Sequence, residues 1–134
     1  MLLTNKVINE KSLSVEHGEC VKSLVSDMLT ILEAKGIGLA AVQIGVLKRV
    51  IIVKINGEFV VMINPVITHK STDKKQSREG CLSFPNFEVK KQRHYRVTVE
   101  FENEQREKAQ VKLSALAAFC VQHEIDHLEG VTIN

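Results

Sequence analysis

Ser114-Ala115-Leu116-Ala117-Ala118-Phe119-Cys120-Val121-Gln122-His123-Glu124-Ile125-Asp126-His127-Leu128-Glu129-Gly130 reads as a helix that a folded chain must bury. With Leu113, the side chains of Leu116, Ala117, Phe119, Cys120, Val121, Ile125 and Leu128 make it apolar nearly all round, and such a helix belongs in an interior. Ser114 is a suitable N-cap and Gly130 a suitable stop. The same helix carries two histidines and several carboxylates, which interiors accept only for a reason. The rest of the chain must supply the surface that covers it.

Much of that surface reads as β. Val50 to Ile55 is β-branched except for Lys54, Asn56-Gly57 follows, and Glu58 to Ile63 returns. Asn-Gly between two such runs is a strong hairpin signal, because both turn positions need positive φ. Asn64-Pro65 is expected to end the return strand, and the polar run His69 to Arg78 is expected to be an exposed, solvated loop. A second hairpin is predicted from Arg96 to Phe101, through polar Glu102 to Arg106, into Ala109, Val111 and Leu113. Toward the N-terminus, Val21, Leu24, Val25, Met28 and Leu32 fall on one stripe of a helix predicted over 15–34, with Ser14 as N-cap and Lys35-Gly36 as its stop. Between helix and hairpin, Gly36-Ile37-Gly38-Leu39-Ala40-Ala41-Val42-Gln43-Ile44-Gly45 holds three glycines in ten residues. It reads as a loop or short extended piece whose backbone approaches something closely.

Composition sets the outer limits. The 134 residues, 44% hydrophobic and 25% charged, suit one domain spanning 1–134. A net charge of +2 argues against a dedicated nucleic-acid surface. No apolar run approaches the ~20 residues of a membrane span, and no secretory leader opens the chain. Three cysteines are an odd number and too few for a disulfide scaffold, which fits a reducing cytoplasm. Cys20 and Cys120 read as small buried hydrophobes.

His123-Glu124-Ile125-Asp126-His127 has the spacing H-E-x-x-H. On a helix the two histidines lie about 40° apart and about 6 Å apart along the axis. Two imidazoles so placed can converge on one metal, with Glu124 beside it as a base for water. A catalytic metal usually takes three protein ligands and keeps one position open. Only Val131 to Asn134 follow Gly130, and none is a suitable donor. The candidate lies upstream, Cys81 in Glu79-Gly80-Cys81-Leu82-Ser83-Phe84-Pro85. His17, His69 and His94 read as ordinary surface or turn residues.

Three segments together, Gly36–Gln43, Glu79–Ser83 and Gln122–Leu128, resemble the signature motifs of peptide deformylases, in the same order and with similar spacing. The resemblance implies an α+β fold, with antiparallel sheets and hairpins packed around the buried C-terminal helix and a second helix near the N-terminus. It implies a hydrolase that removes the formyl group from the formyl-methionine of nascent polypeptides and releases formate. Carried over by motif, Cys81, His123 and His127 hold one divalent metal, Fe(II) natively with Zn(II) or Ni(II) as replacements. Glu124 takes a proton from water at that metal and later passes one to the departing amine. The Gln43 side chain and the Leu82 backbone N–H serve the oxyanion.

Substrate would be held by Gly36, Ile37, Gly38, Leu116, Phe119 and Cys120, with Glu79 and Arg93 as an ion pair behind the cysteine. Position 88, an arginine in many members, is Glu88, which bears on preference beyond the methionine. The chain stops soon after Gly130, as do shortened deformylases of bacteriophages, and this puts ribosome association in doubt. The expected partners are formyl-methionyl peptides alone, bound by a monomer without membrane or nucleic-acid contact. The alternatives are an H-E-x-x-H peptidase with a different third ligand and an inactive binding module derived from a deformylase.

Overall fold

A computed structural model describes residues 2–3, 9–34 and 36–131, with side chains described for all of these except 85–87. Two helices, α1 (Lys22–Ala34) and α2 (Ala115–Leu128), accompany seven strands: β1 (Gly38–Ala40), β2 (Val50–Ile55), β3 (Glu58–Lys70), β4 (Lys74–Cys81), β5 (Phe84–His94), β6 (Arg96–Glu102) and β7 (Lys108–Ser114). A short 3-10 turn, Ala41–Ile44, follows β1. Five strands form one antiparallel sheet in the order β1-β2-β3-β6-β7, and β4 and β5 form a separate two-stranded ribbon.

The unbroken β-branched run of β2 is explained by its position. Ile51 and Val53 pack toward α2, among Met62, Val99, Val121 and Leu128. Val50 and Ile52 pack on the other face, toward Val25, Met28 and Leu32 of α1. A strand covered on both faces has no polar side to display. The hairpin turn is the expected one, with φ of 51° at Asn56 and 83° at Gly57.

Four expectations need correction. First, α1 begins at Lys22, not near Val15. Gly18 takes φ 82° in a turn closed by the Glu19 N–H on the Glu16 carbonyl, and Val15 is pinned to Asn64 Oδ1 at 2.8 Å. Extended chain with a glycine turn replaces the first predicted helical turns, Ser14 caps nothing, and Cys20 is exposed ahead of the helix. Lys35 lies outside the described residues.

Second, the return strand does not stop at Asn64-Pro65. Asn64 takes φ 52° and the β3–β6 register shifts between Ile63 and Val66, so the proline sits in a bulge, where its missing N–H breaks no ladder. Third, the run 69–78 is mostly strand rather than loop: 69–70 end β3, 74–78 begin β4, and only 71–73 connect them. Inward alternation exists there, but the inward side chains are polar Ser77 and Glu79, so hydrophobic periodicity could not report it. Fourth, α2 is not covered all round. Leu116 is 65% exposed, and Ser114 occupies the cap position without a side-chain cap bond.

Candidate active site

The site lies where the free edge of β1, the end of β4 and the inner face of α2 meet. Cys81 is the last residue of β4, and Leu82-Ser83 turns the chain into β5 through the Cys81–Phe84 pair. The ring centroids of His123 and His127 are 5.0 Å apart. Cys81 Sγ is 3.4 Å from His127 Nε2, and one donor atom from each of Cys81, His123 and His127 falls within 4.8 Å of the others.

Behind this triangle stands a buried charge relay. Arg93 donates to both carboxylate oxygens of Glu79 (2.8 and 2.7 Å) and to Asp126 (2.5 Å), and Glu79 Oε1 is 3.0 Å from His123 Nδ1. Burial pushes the Glu79 carboxyl up, but bonds from Arg93, His123 and Ser77 outweigh it and hold the carboxyl far below the usual range. For His123, burial opposes the charged form, yet the neighbouring Cys81 and Glu79 win and carry it up to about 10. His127 is driven the other way, down to about 3, by burial and then by His123. A soft thiolate, two imidazoles and a carboxylate fixing one imidazole from behind make a donor set suited to iron, zinc or nickel.

Glu124, next to His123 on α2, is buried, and its Oε1 has no partner among the described residues. Burial raises its carboxyl to about 7, against the pull of His123. A group so poised can take and return a proton near neutrality. Gln43 is fixed by its Oε1, which accepts the Ala40 N–H at 2.9 Å. Its Nε2 then faces the site, 3.3 Å from Cys81 Sγ and 3.1 Å from Ser83 Oγ.

An open cavity of about 380 Å³ fronts these groups, within the range of small-ligand sites. Every residue assigned from sequence as a substrate or oxyanion contact borders it: Gly36, Ile37, Gly38, Gln43, Leu82, Leu116, Phe119 and Cys120. Cys120 is buried and its thiol is pushed far up by burial, so it serves as neutral wall. Gly36, at φ 109°, leaves room for Leu82, whose Cδ1 would be 2.9 Å from a Cβ there. Glu88 stands outside the cavity, paired with Arg78 at 2.7 Å. Sequence reasoning missed Ser77, Ser83 and Asp126. Only Asp126 left a signal, as a carboxylate one helical turn from His123 on a helix already judged buried.

A cysteine–histidine–histidine triangle with a buried carboxylate at the mouth of a cavity defines a metal-assisted hydrolase. The chain belongs to the polypeptide deformylase family, whose model matches residues 1–134. It is 45% identical over 114 residues to a peptide deformylase of Natranaerobius thermophilus, covering 84% of this chain and 73% of that one. It is 38% identical over 138 residues to that of Rhizobium meliloti, covering 98% and 79%.

Among solved structures, the deformylase of the Vibrio parahaemolyticus bacteriophage VP16T, in complex with actinonin, superposes with a TM-score of 0.94 at 42% identity, covering 98% of both chains. A class I type b deformylase of Acinetobacter baumannii gives 0.90 at 33% identity, covering 98% of this chain and 94% of that one. The family is metal-dependent. Membership sets aside the unrelated H-E-x-x-H peptidase. No helix among the described residues is long and apolar enough to cross a membrane.

Proposed function

We propose that this chain removes the N-formyl group from the N-terminal formyl-methionine of nascent polypeptides, with Cys81, His123 and His127 as ligands of one divalent metal. The observation that carries the assignment is the convergence of those three donor atoms within 4.8 Å beside a buried Glu124 oxygen that has no partner among the described residues. A cation held there supplies a Lewis acid and lowers the pKa of water. Fe(II) is the native ion in this reading, with Zn(II) or Ni(II) competent to replace it, since thiolate and imidazole suit all three.

The chain's own groups do the rest. Glu124 accepts the proton of the attacking water and returns it to the departing amine; its raised carboxyl suits both tasks. Negative charge developing on the formyl oxygen meets the Gln43 amide and the Leu82 backbone N–H, donors in place before reaction. Glu79 orients His123 and Arg93 holds Glu79. The methionine side chain lies against Leu116, Phe119 and Cys120. The peptide backbone follows Gly36–Gly38, the approach to the free edge of β1, beside Ile37, as an added strand.

The enzyme acts as a monomer in the cytoplasm, where its three thiols stay reduced. That placement rests on Cys20, Cys81 and Cys120 being free. The test is formate release from a formyl-Met tripeptide by anaerobically purified protein, with metal analysis of the same sample. Stoichiometric iron with turnover supports the reading. Metal-loaded protein that binds the peptide but releases no formate would make it a binding module instead.

A further inference from the structure

The segment where β5 ends grips α2 one residue per helical turn. Arg93 bonds Asp126. The backbone of His94 is held from both sides by the Gln122 side chain, His94 N–H to Oε1 at 3.0 Å and Nε2 to the His94 carbonyl at 2.8 Å. The Tyr95 carbonyl accepts the Ala115 N–H at 2.9 Å, and the Tyr95 ring meets Phe119 edge-on with centroids 6.3 Å apart.

Gln122 is the central rung. It is buried (6% exposed), and its Nε2 also donates to the Ala118 carbonyl at 2.9 Å. One acceptor and two donors are therefore used in one planar group, a set that glutamate lacks and that asparagine is one methylene too short to deliver.

These bonds close a ring. From His123 Nδ1 the path runs to Glu79, to Arg93, along the chain to His94, across to Gln122 and back to His123. We propose that Gln122 is a positioning residue for the metal centre. By acting as a strand partner to His94, it fixes the helical turn bearing His123 against the ribbon that carries Glu79 and Cys81. Without it, the turn bearing His123 loses its central tie to β5, the Arg93–Asp126 and Tyr95 contacts remaining on either side, and the Cys81–His123–His127 triangle loses its fixed dimensions.

The inference rests on the metal-ligand reading given above, and its test separates the two. Zinc-loaded wild type, Gln122→Ala and Gln122→Met are compared with Val99→Ala, which removes core volume from β6 of the five-stranded sheet, outside the ring. Zinc release to a chromogenic chelator and kcat and KM for a formyl-Met tripeptide are measured. Outer partners of metal ligands typically govern affinity by about 10–100-fold. The expected result is about tenfold faster zinc release and a lower kcat with KM within about twofold in both Gln122 variants, and neither change in V99A.

Equal release from Q122M and V99A overturns the proposal, as does failure of both Gln122 variants to fold, which would make the residue merely structural. If wild type holds zinc on Cys81 but turns over no formyl peptide, the functional reading fails while the release ratio still decides the role of Gln122. If zinc survives Cys81→Ala unchanged, the ligand assignment itself falls.

Discussion

Gly38 lies so close to Glu124 that a Cβ on it would come 2.6 Å from Glu124 Oε2, and 2.8 Å from Cys120 Sγ. The edge of β1 is bare where the buried carboxylate needs the space. The φ of Gly38 is not in the left-handed region, so alanine meets no backbone strain there and Gly38→Ala tests the close approach to Glu124 and Cys120. Displacement of a catalytic group by about 1 Å can cost about 10²-fold. We expect G38A to keep its circular dichroism spectrum and lose at least that factor in kcat/KM. A near wild-type rate would show that Glu124 does not depend on this gap.

Glu124 itself is a base rather than a ligand in this scheme. Glu124→Ala should therefore retain its metal while turnover falls by about 10²–10⁴. Metal content of the purified variant and formate release, measured side by side, check both halves. Loss of the metal together with the activity would move Glu124 into the ligand set.

Buried pairs behave differently from exposed ones. Arg93 and Glu79 are 7% exposed each and joined by two bonds. Removing one partner of such a pair leaves an uncompensated buried charge, at a cost of about 3–5 kcal/mol. Arg93→Ala is expected to lose stability of that order in urea. The exposed Arg78–Glu88 pair should contribute at most ~1 kcal/mol. Equal losses from Arg93→Ala and Arg78→Ala would contradict the burial argument.

Acid sensitivity is expected at the end of α2. Glu129 is bonded by Arg49 (2.6 Å) and Lys11 (3.3 Å). Burial is the largest single influence and raises its carboxyl, but Arg49 and Lys11 together prevail and lower it from 4.5. A group with a depressed folded pKa stabilises the fold above its unfolded pKa, and that stabilisation fades as pH falls below about 4.5. The side chain is 38% exposed, so solvent screening limits the gain to ~1 kcal/mol. Glu129→Gln should thus be slightly less stable than wild type at pH 7, with the gap closing below pH 4.5. Denaturation midpoints across that range measure it; a gap that widens in acid would reverse the sign.

The metal helix was legible because its signal is chemical: H-E-x-x-H on an apolar background has few explanations. The β2–β3 hairpin was legible because Asn56-Gly57 dictates its own turn. What sequence hid was structure held by polar groups. The β4–β5 ribbon turns Ser77 and Glu79 inward and lysines outward, so it reads as loop. The first turns of the predicted N-terminal helix were lost to Gly18 and to Asn64, a residue 49 positions from Val15. Ser83 and Gln122 stood at the ends of two motif segments but without a role, since a hydrogen bond between distant segments leaves no local signal. Cys81, His123 and His127, by contrast, do converge as expected, within 4.8 Å, because two come from one helix and thiol chemistry narrowed the third.

Metal binding should register as stability, because the triangle joins β4 to α2 and exists only in the folded chain. A ligand present at 100 times its dissociation constant adds about 2.7 kcal/mol. For a chain of this size that amounts to a Tm rise on the order of 10 °C. Zinc or nickel added to chelator-stripped wild type should produce that rise, and the chelator should reverse it. Cys81→Ala should show little of it. In that variant Gln43 keeps its bond to Ser83 Oγ at 3.1 Å and its anchor on Ala40, so the cavity wall survives and the stripped variant should melt close to stripped wild type. The difference between the two proteins then isolates the thiolate's share of metal affinity from any effect on packing. A metal-dependent shift equal in both would mean that the cation sits elsewhere, and the Cys81 assignment would have to be withdrawn.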